Sequence, residues 1–224
     1  MVRATFHPYG SFFLSGPPWW KRGIDLVGSI ILLILTSPLF WIAAAVIKLT
    51  SPGPVFYRQE RIGFGGRRFI LYKFRTMKTN ADENTHKDYL VSLIRDSNAG
   101  GRDCAKKPML KMENDPRIIP FGRFLRRSCI DELPQLINVL RGEMSLVGPR
   151  PPIPYEVEQY SLWHSNRFDI MPGMTGLWQV SGKNAMSFVD MVRLDIIYAK
   201  RQSLRLDLKI LAKTPWAVLC QLLY

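Results

Sequence analysis

The chain has 224 residues, enough for one domain with a buried core, and 47% of them are hydrophobic, an ordinary share for a folded protein. Its charge is less ordinary: 31 Lys+Arg against 18 Asp+Glu leave a net +13, which points to a polyanionic partner such as phosphorylated substrates, anionic lipid or nucleic acid. The dispersed cysteines Cys104, Cys129 and Cys220 exclude a disulfide framework, and the scattered His7, His86 and His164 give no zinc spacing.

Residues 1–20, rich in aromatics, Gly and Pro and without helical period, read as an N-terminal tail. At its end Trp19 and Trp20 stand beside Lys21 and Arg22, the make-up of a membrane-interface anchor. From Leu26 to Ile47 the chain carries no charge, which is long enough to cross roughly 30 Å of hydrocarbon, and Ser37-Pro38 lies near the middle. Proline has no N–H and its ring frees the carbonyl of Ile34, which the Ser37 hydroxyl can take up. A cleaved signal peptide fits poorly: Ala43–Ala45 would pass as a cleavage site, but the preceding region is long and a proline interrupts the apolar run.

A straight span and a re-entrant hairpin both stay open. Lys21 and Arg22 precede the run and Lys48, Arg58, Arg61, Arg67 and Arg68 follow it, so both flanks favour the cytoplasmic face. A helix broken at Pro38 satisfies both flanks, with arms over 26–36 and 39–47. Residues 21–50 are therefore predicted as a re-entrant membrane hairpin, and 51–224 as a cytosolic domain on the inner-membrane face.

Next, "VFYR" at 55–58 and "FILYKF" at 69–74 are β-rich and joined by a segment with Gly63, Gly65 and Gly66, so they are predicted to pair as a hairpin. Seven basic residues and one acid lie between Arg58 and Lys78. Arg67 and Arg68 suit a solvated or lipid-facing surface, while Arg58, Gln59, Arg61, Lys73 and Arg75, interleaved with apolar strand positions, suit phosphate work. Helical spacing over 82–97 predicts a partly buried surface helix, and residues 190–202 and 206–223 read as two more. The last is basic and amphipathic; it could lie on lipid, pack on the core or pair with a second copy as a homodimer. The expected class is mainly α with a small β-hairpin, an α+β domain.

The chemistry concentrates in 106–152. Ser128 reads as a helix N-cap and Pro134 fits a first turn, with an apolar stripe at Leu133, Leu136, Ile137 and Leu140 behind them. Asp131 and Glu132 would thus stand at a helix N-terminus, which favours ionised carboxylates; such acids are often only caps. Their surroundings favour more. Arg117, Arg123, Arg126 and Arg127 precede them, Arg141 and Arg150 follow, and guanidinium forks match phosphate oxygens bidentately. Arg150 lies between two prolines that pre-set the backbone. Carboxylates beside phosphates suit Mg²⁺, so one of the pair can face a substrate while its neighbour holds the metal. Lys111, Gln135 and Gln179 join Arg75, Arg117, Arg126 and Arg150 as candidate substrate- and phosphate-binding residues; the Gly-rich "PGMTGLWQVSGKN" (172–184) with Gln179, Ser181 and Lys183 reads equally as a plain turn.

"SPGPVFYRQERIG", "YKFRTM", "NDPRIIPFGRFLRRSCIDELPQLINVLRGEMSLVGPRPP" and "PGMTGLWQVSGKN" together resemble the bacterial sugar transferase family, the monotopic polyprenyl-phosphate phosphoglycosyl transferases, over about Lys21 to Leu211. The "SCIDE" context departs from the family's usual Ser/Thr-Leu-Asp-Glu, with both acids intact, and the multi-spanning front part of larger members has no counterpart here. The resemblance implies that Asp131 is the nucleophile on a UDP-sugar, releasing UMP. Undecaprenyl phosphate would then accept the sugar-phosphate, in a ping-pong scheme that begins exopolysaccharide, capsule or lipopolysaccharide assembly. It further implies that Glu132 binds Mg²⁺, that Arg150 clamps phosphate, that Ser37-Pro38 breaks the membrane helix, and that Lys21, Arg22 and Asp25 are interfacial anchors. A single-pass protein whose basic cytosolic domain binds partners or nucleic acid is the competing reading, although no nucleic-acid motif supports it.

Overall fold

The computed structural model describes residues 16–79, 117–182 and 186–223, together with 88, 91, 92 and 94. The tail before residue 16, most of the predicted 82–97 helix, Lys111 and Lys183 lie outside the described residues. The fold is mainly helical, with one antiparallel hairpin and one short parallel strand pair.

Helix α1 (Trp19–Thr50) is apolar along its middle, yet the side chains it buries in its first half are polar: Lys21, Asp25 and Ser29, four residues apart and so on one face. Lys21 is only 1% exposed. Its ammonium donates to Asp207 (2.7 Å), to the Val147 carbonyl (2.8 Å) and to the Tyr198 hydroxyl (3.1 Å). Asp25 accepts from the Ser145 hydroxyl and the Leu146 N–H, and Arg22 donates to the Val139 and Leu140 carbonyls. Lys21, Arg22 and Asp25 therefore fasten the helix to the globular body, because each finds a polar partner there. The second half buries Ala43 and Ile47 against Phe74, Ile119 and Leu125. Between these docked ends Ile30, Ile31, Ile34, Leu35, Trp41 and Ile42 are exposed, an apolar surface turned outward.

No interruption separates the two predicted arms: Pro38 lies inside a single helical segment, Trp19–Thr50. Its cost is reduced locally, since the Ser37 hydroxyl donates to the Ile34 carbonyl at 2.8 Å, the acceptor that proline frees.

Strands β1 (Phe56–Ile62) and β2 (Arg68–Phe74) pair antiparallel as predicted, each longer than or shifted from its sequence bounds. A 3₁₀ turn over Phe64–Gly66 joins them, with Gly65 and Gly66 in the left-handed region that glycine tolerates. Partners Tyr57↔Lys73, Gln59↔Leu71 and Arg61↔Phe69 share one face, and Phe56↔Phe74 and Arg58↔Tyr72 the other.

The reading of Ser128 as an N-cap is corrected. It closes helix α2 (Gly122–Arg127), its hydroxyl donating back to the Phe124 carbonyl, and caps no following helix. Asp131 and Glu132 lie in a separate 3₁₀ turn, Ile130–Glu132, entered through Cys129 at φ 56°. Pro134 then leads into α3 (Gln135–Arg141). The turn stands apart because Pro134 offers no N–H to continue a hydrogen-bonded ladder.

A feature the sequence did not announce is the parallel pairing of β3 (Ser145–Val147) with β4 (Gly173–Thr175). It needs glycines: a Cβ on Gly173 would lie 2.0 Å from the Gly148 nitrogen, and one on Gly176 2.5 Å from the Gly148 carbonyl oxygen. Helices α4 (Phe188–Arg201), capped by Ser187, and α5 (Leu204–Leu223) complete the chain close to their predicted bounds. The core is built from Leu71, Leu136, Val139, Met144, Val147, Tyr198 and Ile210, contributed by hairpin, α3, β3, α4 and α5.

Beneath α4 lies a buried polar group. Arg167 pairs with Asp195 and donates to the Tyr160 hydroxyl, while His164 accepts the Ser161 N–H through Nδ1. Burial, with Arg167 second, lowers His164 to about 4, so the imidazole is neutral. A group whose folded pKa is depressed contributes stability above its unfolded value, near 6.5, that is lost as pH falls toward 4. Burial pushes Asp195 up to about 6, which acts in the opposite sense over the same range, so the comparison must be differential. Relative to His164→Gln, the wild type is expected to lose up to about 3 kcal/mol between pH 6.5 and 4, read from unfolding midpoints of both proteins at each pH.

Candidate active site

A cleft of about 350 Å³, its open mouth included, lies between the hairpin, the Asp131-Glu132 turn and the β3–β4 loops. Three cations and one carboxylate face it: Arg61, Lys73, Arg150 and Glu132, with the amides of Gln135 and Gln179. Leu71, Pro151, Gly173 and Met174 supply the remaining wall.

Each charged group arrives for a local reason. Strand alternation aims Arg61, Leu71 and Lys73 to one side of the hairpin. Lys73 holds Glu132 at 3.0 Å, tying hairpin to turn. Arg61 is buried; it donates to the Pro151 carbonyl (2.8 Å) and to Gln59 (2.6 Å). Burial first and the Arg150 charge second lower its pKa to about 10, so it is still a cation at neutral pH. Arg150 is exposed to the cleft, but its backbone is held throughout: Gly173 N–H donates to the Pro149 carbonyl, Arg167 to that of Arg150, Arg61 to that of Pro151 and Ile62 N–H to that of Pro152. With four consecutive carbonyls engaged and prolines on either side, the guanidinium is projected from a fixed base.

Asp131 is 8% exposed and immediately precedes Glu132 in the turn, but its side chain is not among the groups that line the cleft. Gln179 donates through Nε2 to the Met174 carbonyl, which leaves its Oε1 as a buried acceptor without a protein partner. Such an atom calls for a donor from a ligand or water.

The remaining predicted residues go elsewhere. Arg75 donates to the Ser51 and Pro52 carbonyls and so finishes α1. Arg126 donates to Thr76 and accepts Gln221 at its carbonyl, bracing α2. The Arg117 carbonyl accepts the Lys78 N–H beside the Met77↔Ile118 bridge. Sequence reading did not find Arg167 as a support for Arg150: 17 positions separate them and no motif marks the pair.

Among the described residues no group of three His, Cys, Asp or Glu side chains could by itself enclose a metal. Mg²⁺ does not require one, because it takes one or two carboxylates and completes its shell with phosphate oxygens and water. Glu132, a carboxylate facing a cleft fit for phosphates, suits that mode.

A mostly helical body with a cationic, carboxylate-edged cleft fits an enzyme of phosphorylated substrates, and its long, outward-facing apolar helix fits association with a membrane. Comparison with known proteins makes this specific: the chain belongs to the bacterial sugar transferase family, whose description matches residues 17–221, and it is a phosphoglycosyl transferase. It is 39% identical over 198 residues to the exopolysaccharide production protein ExoY of Sinorhizobium fredii, covering 88% of this chain and 84% of that one. It is 42% identical to the undecaprenyl-phosphate galactose phosphotransferase of Salmonella typhimurium, covering 89% of this chain and 40% of that longer protein. The UDP-glucose:undecaprenyl-phosphate glucose-1-phosphate transferase of Caulobacter vibrioides is 40% identical, covering 87% of this chain and 67% of its own length.

Proposed function

We propose that the enzyme moves a sugar-1-phosphate from a UDP-sugar to undecaprenyl phosphate and releases UMP, at the cytoplasmic face of the bacterial inner membrane, as the first membrane step of exopolysaccharide or related polysaccharide synthesis. The observation that carries this reading is the convergence of Arg61, Lys73 and Arg150 around Glu132, next to Asp131. In the first half-reaction a carboxylate oxygen of Asp131 attacks the β-phosphorus, the bond from that phosphorus to the bridging oxygen breaks, and UMP leaves. In the second, a phosphate oxygen of the lipid attacks the same phosphorus and expels the Asp131 carboxylate. Splitting one displacement into two lets two bulky substrates use one cleft in turn.

Arg61, Lys73 and Arg150 would offset the charge spread over the phosphoryl oxygens. Mg²⁺, held by Glu132 and substrate phosphates, would supply further electrostatic stabilisation there. Arg150→Lys keeps the charge but loses the fork, so kcat/KM is expected to fall about 10- to 100-fold, the worth of one charge-assisted hydrogen bond. UMP release from a panel of UDP-sugars, with and without undecaprenyl phosphate, tests the whole assignment. A requirement for lipid before any UMP appears would sink the two-step scheme.

The placement of α1 as a re-entrant element is supported by where it touches the domain. Lys21, Arg22 and Asp25 dock one end, and Ala43, Ile47 and the Arg75-bound carbonyls of Ser51 and Pro52 dock the other. A straight helix of 32 residues would be roughly 48 Å long and would carry its two ends to opposite faces. Trp19→Cys and Pro52→Cys, in a chain with its native cysteines changed to serine, are expected to label from the same side of sealed vesicles. Labelling from opposite sides overturns re-entry.

A further inference from the structure

The hairpin has two faces, and the cleft uses one. The other carries Phe56, Arg58, Ile70, Tyr72 and Phe74. On it, the guanidinium carbons of Arg58 and Arg141 lie 5.9 and 5.1 Å from the centroid of the same Tyr72 ring, and Arg141 also donates to the Tyr72 hydroxyl at 2.8 Å. Both arginines are exposed, and among the described residues neither forms an ion pair. Glu60, an acid on that face, is paired with Arg68. Cation–π contact accounts for the stacking, at about 0.5–1 kcal/mol per exposed pair, but leaves two forks with unused donors that face solvent together.

The setting says what those donors meet. Phe74, on the same face, packs edge-on against Phe40 of the second half of α1 at 5.1 Å and stacks on Phe56 at 5.4 Å. On the other side, Arg22 from the first half of α1 holds the Val139 and Leu140 carbonyls, immediately before Arg141. The cationic pair is therefore flanked by both docked ends of α1, and half-exposed Phe56 (41%) and Ile70 (42%) rim it. Cations bordered by apolar side chains at the base of a membrane element suit a phosphate that is attached to hydrocarbon.

We infer that Arg58 and Arg141, spaced by Tyr72, form a binding site for the phosphate of a membrane lipid, on the hairpin face opposite the nucleotide-sugar cleft. The inference rests on the re-entrant reading of α1, which sets both ends of that helix, and the arginines between them, at one membrane surface. The ligand chemistry is the phosphodiester of an anionic lipid headgroup; the acceptor's monoester goes instead to Asp131. Bound there, the lipid would fix the height of the domain at the surface without touching Asp131 or Glu132.

The test uses the full chain in neutral detergent, titrated with dihexanoyl-phosphatidylglycerol, farnesyl phosphate, dihexanoyl-phosphatidylcholine and inorganic phosphate. Wild type is expected to bind dihexanoyl-phosphatidylglycerol, and Arg58→Gln/Arg141→Gln to bind it about 30-fold more weakly, the effect of two arginines near an anionic surface. Loss of phosphatidylglycerol binding with farnesyl phosphate binding retained upholds the site, while a loss confined to farnesyl phosphate overturns it, because the acceptor's phosphate must reach Asp131. Equal binding of phosphatidylcholine, or a double variant that binds as wild type does, overturns it. UMP release in the first half-reaction should be unchanged in the double variant, since neither arginine lines the cleft. Labelling of the ends of α1 from opposite sides brings down the re-entrant reading whatever the titration gives. Ends on one side with no loss in the double variant bring down this site alone.

Discussion

Asp131→Asn is expected to abolish sugar-phosphate transfer, by at least about 10³-fold in kcat, or roughly 4 kcal/mol of barrier. The substitution preserves shape in a site that is nearly closed to solvent, so unfolding midpoints should barely move while chemistry stops. An amide oxygen is a poor nucleophile, and among the described residues Glu132 is the carboxylate that lines the cleft, so it is the alternative to test. The decisive readout is the protein itself: incubated with a UDP-sugar labelled in the sugar, and without lipid, wild type should retain about one label per chain and release a matching burst of UMP. Asp131→Asn should do neither. Glu132→Gln separates the two acids. It removes the partner of Lys73 and the candidate Mg²⁺ ligand, so both half-reactions should slow, but the labelled protein should still form given time. A label that survives in Asp131→Asn and disappears in Glu132→Gln would reverse the two roles.

The second large effect is on stability. Lys21→Met is expected to destabilise the protein by about 3–5 kcal/mol, the usual result of leaving one member of a buried ion pair behind. Asp207 would keep only the Tyr198 hydroxyl (2.6 Å), and the Val147 carbonyl would lose its shorter donor. For a domain of this size the melting temperature in detergent should drop by roughly 10 °C or more. Lys21→Met/Asp207→Leu should recover much of the loss, because a hydrophobic pair leaves no buried charge unmatched. Equal losses in the single and double variants would mean that Lys21 stabilises by packing alone. The outcome bears on function, since Lys21 fastens the start of α1 to β3, α4 and α5, the elements behind the cleft.

Much of this enzyme could be read along the chain. The apolar run, the Ser37-Pro38 pair and even the acceptor for the Ser37 hydroxyl follow from local covalent geometry, since proline always frees the carbonyl four residues back. The hairpin and the last two helices follow from side-chain period and glycine placement, which act within a few residues. Asp131, Glu132, Arg150 and Gln179 were legible as candidates because their motifs are contiguous, and three of them line the cleft with Gln135.

Tertiary structure decided the rest. Lys21, Arg22 and Asp25 look in sequence like charges waiting at a membrane surface. Only folding shows that Asp207, Tyr198 and the carbonyls of β3 and α3 meet them, partners up to 186 positions away. Arg75 looks like a phosphate ligand, but the Ser51 and Pro52 carbonyls claim its guanidinium first. The rigid base of Arg150 depends on Gly148 and Gly173 crossing at backbone contact and on Arg167 arriving from a distant turn. Sequence determined which groups the chain would bring to a membrane and a phosphate. Which of them stay free for substrate, and which are used up holding the fold, was settled only by long-range pairing, because a buried donor must be satisfied wherever the chain happens to place an acceptor.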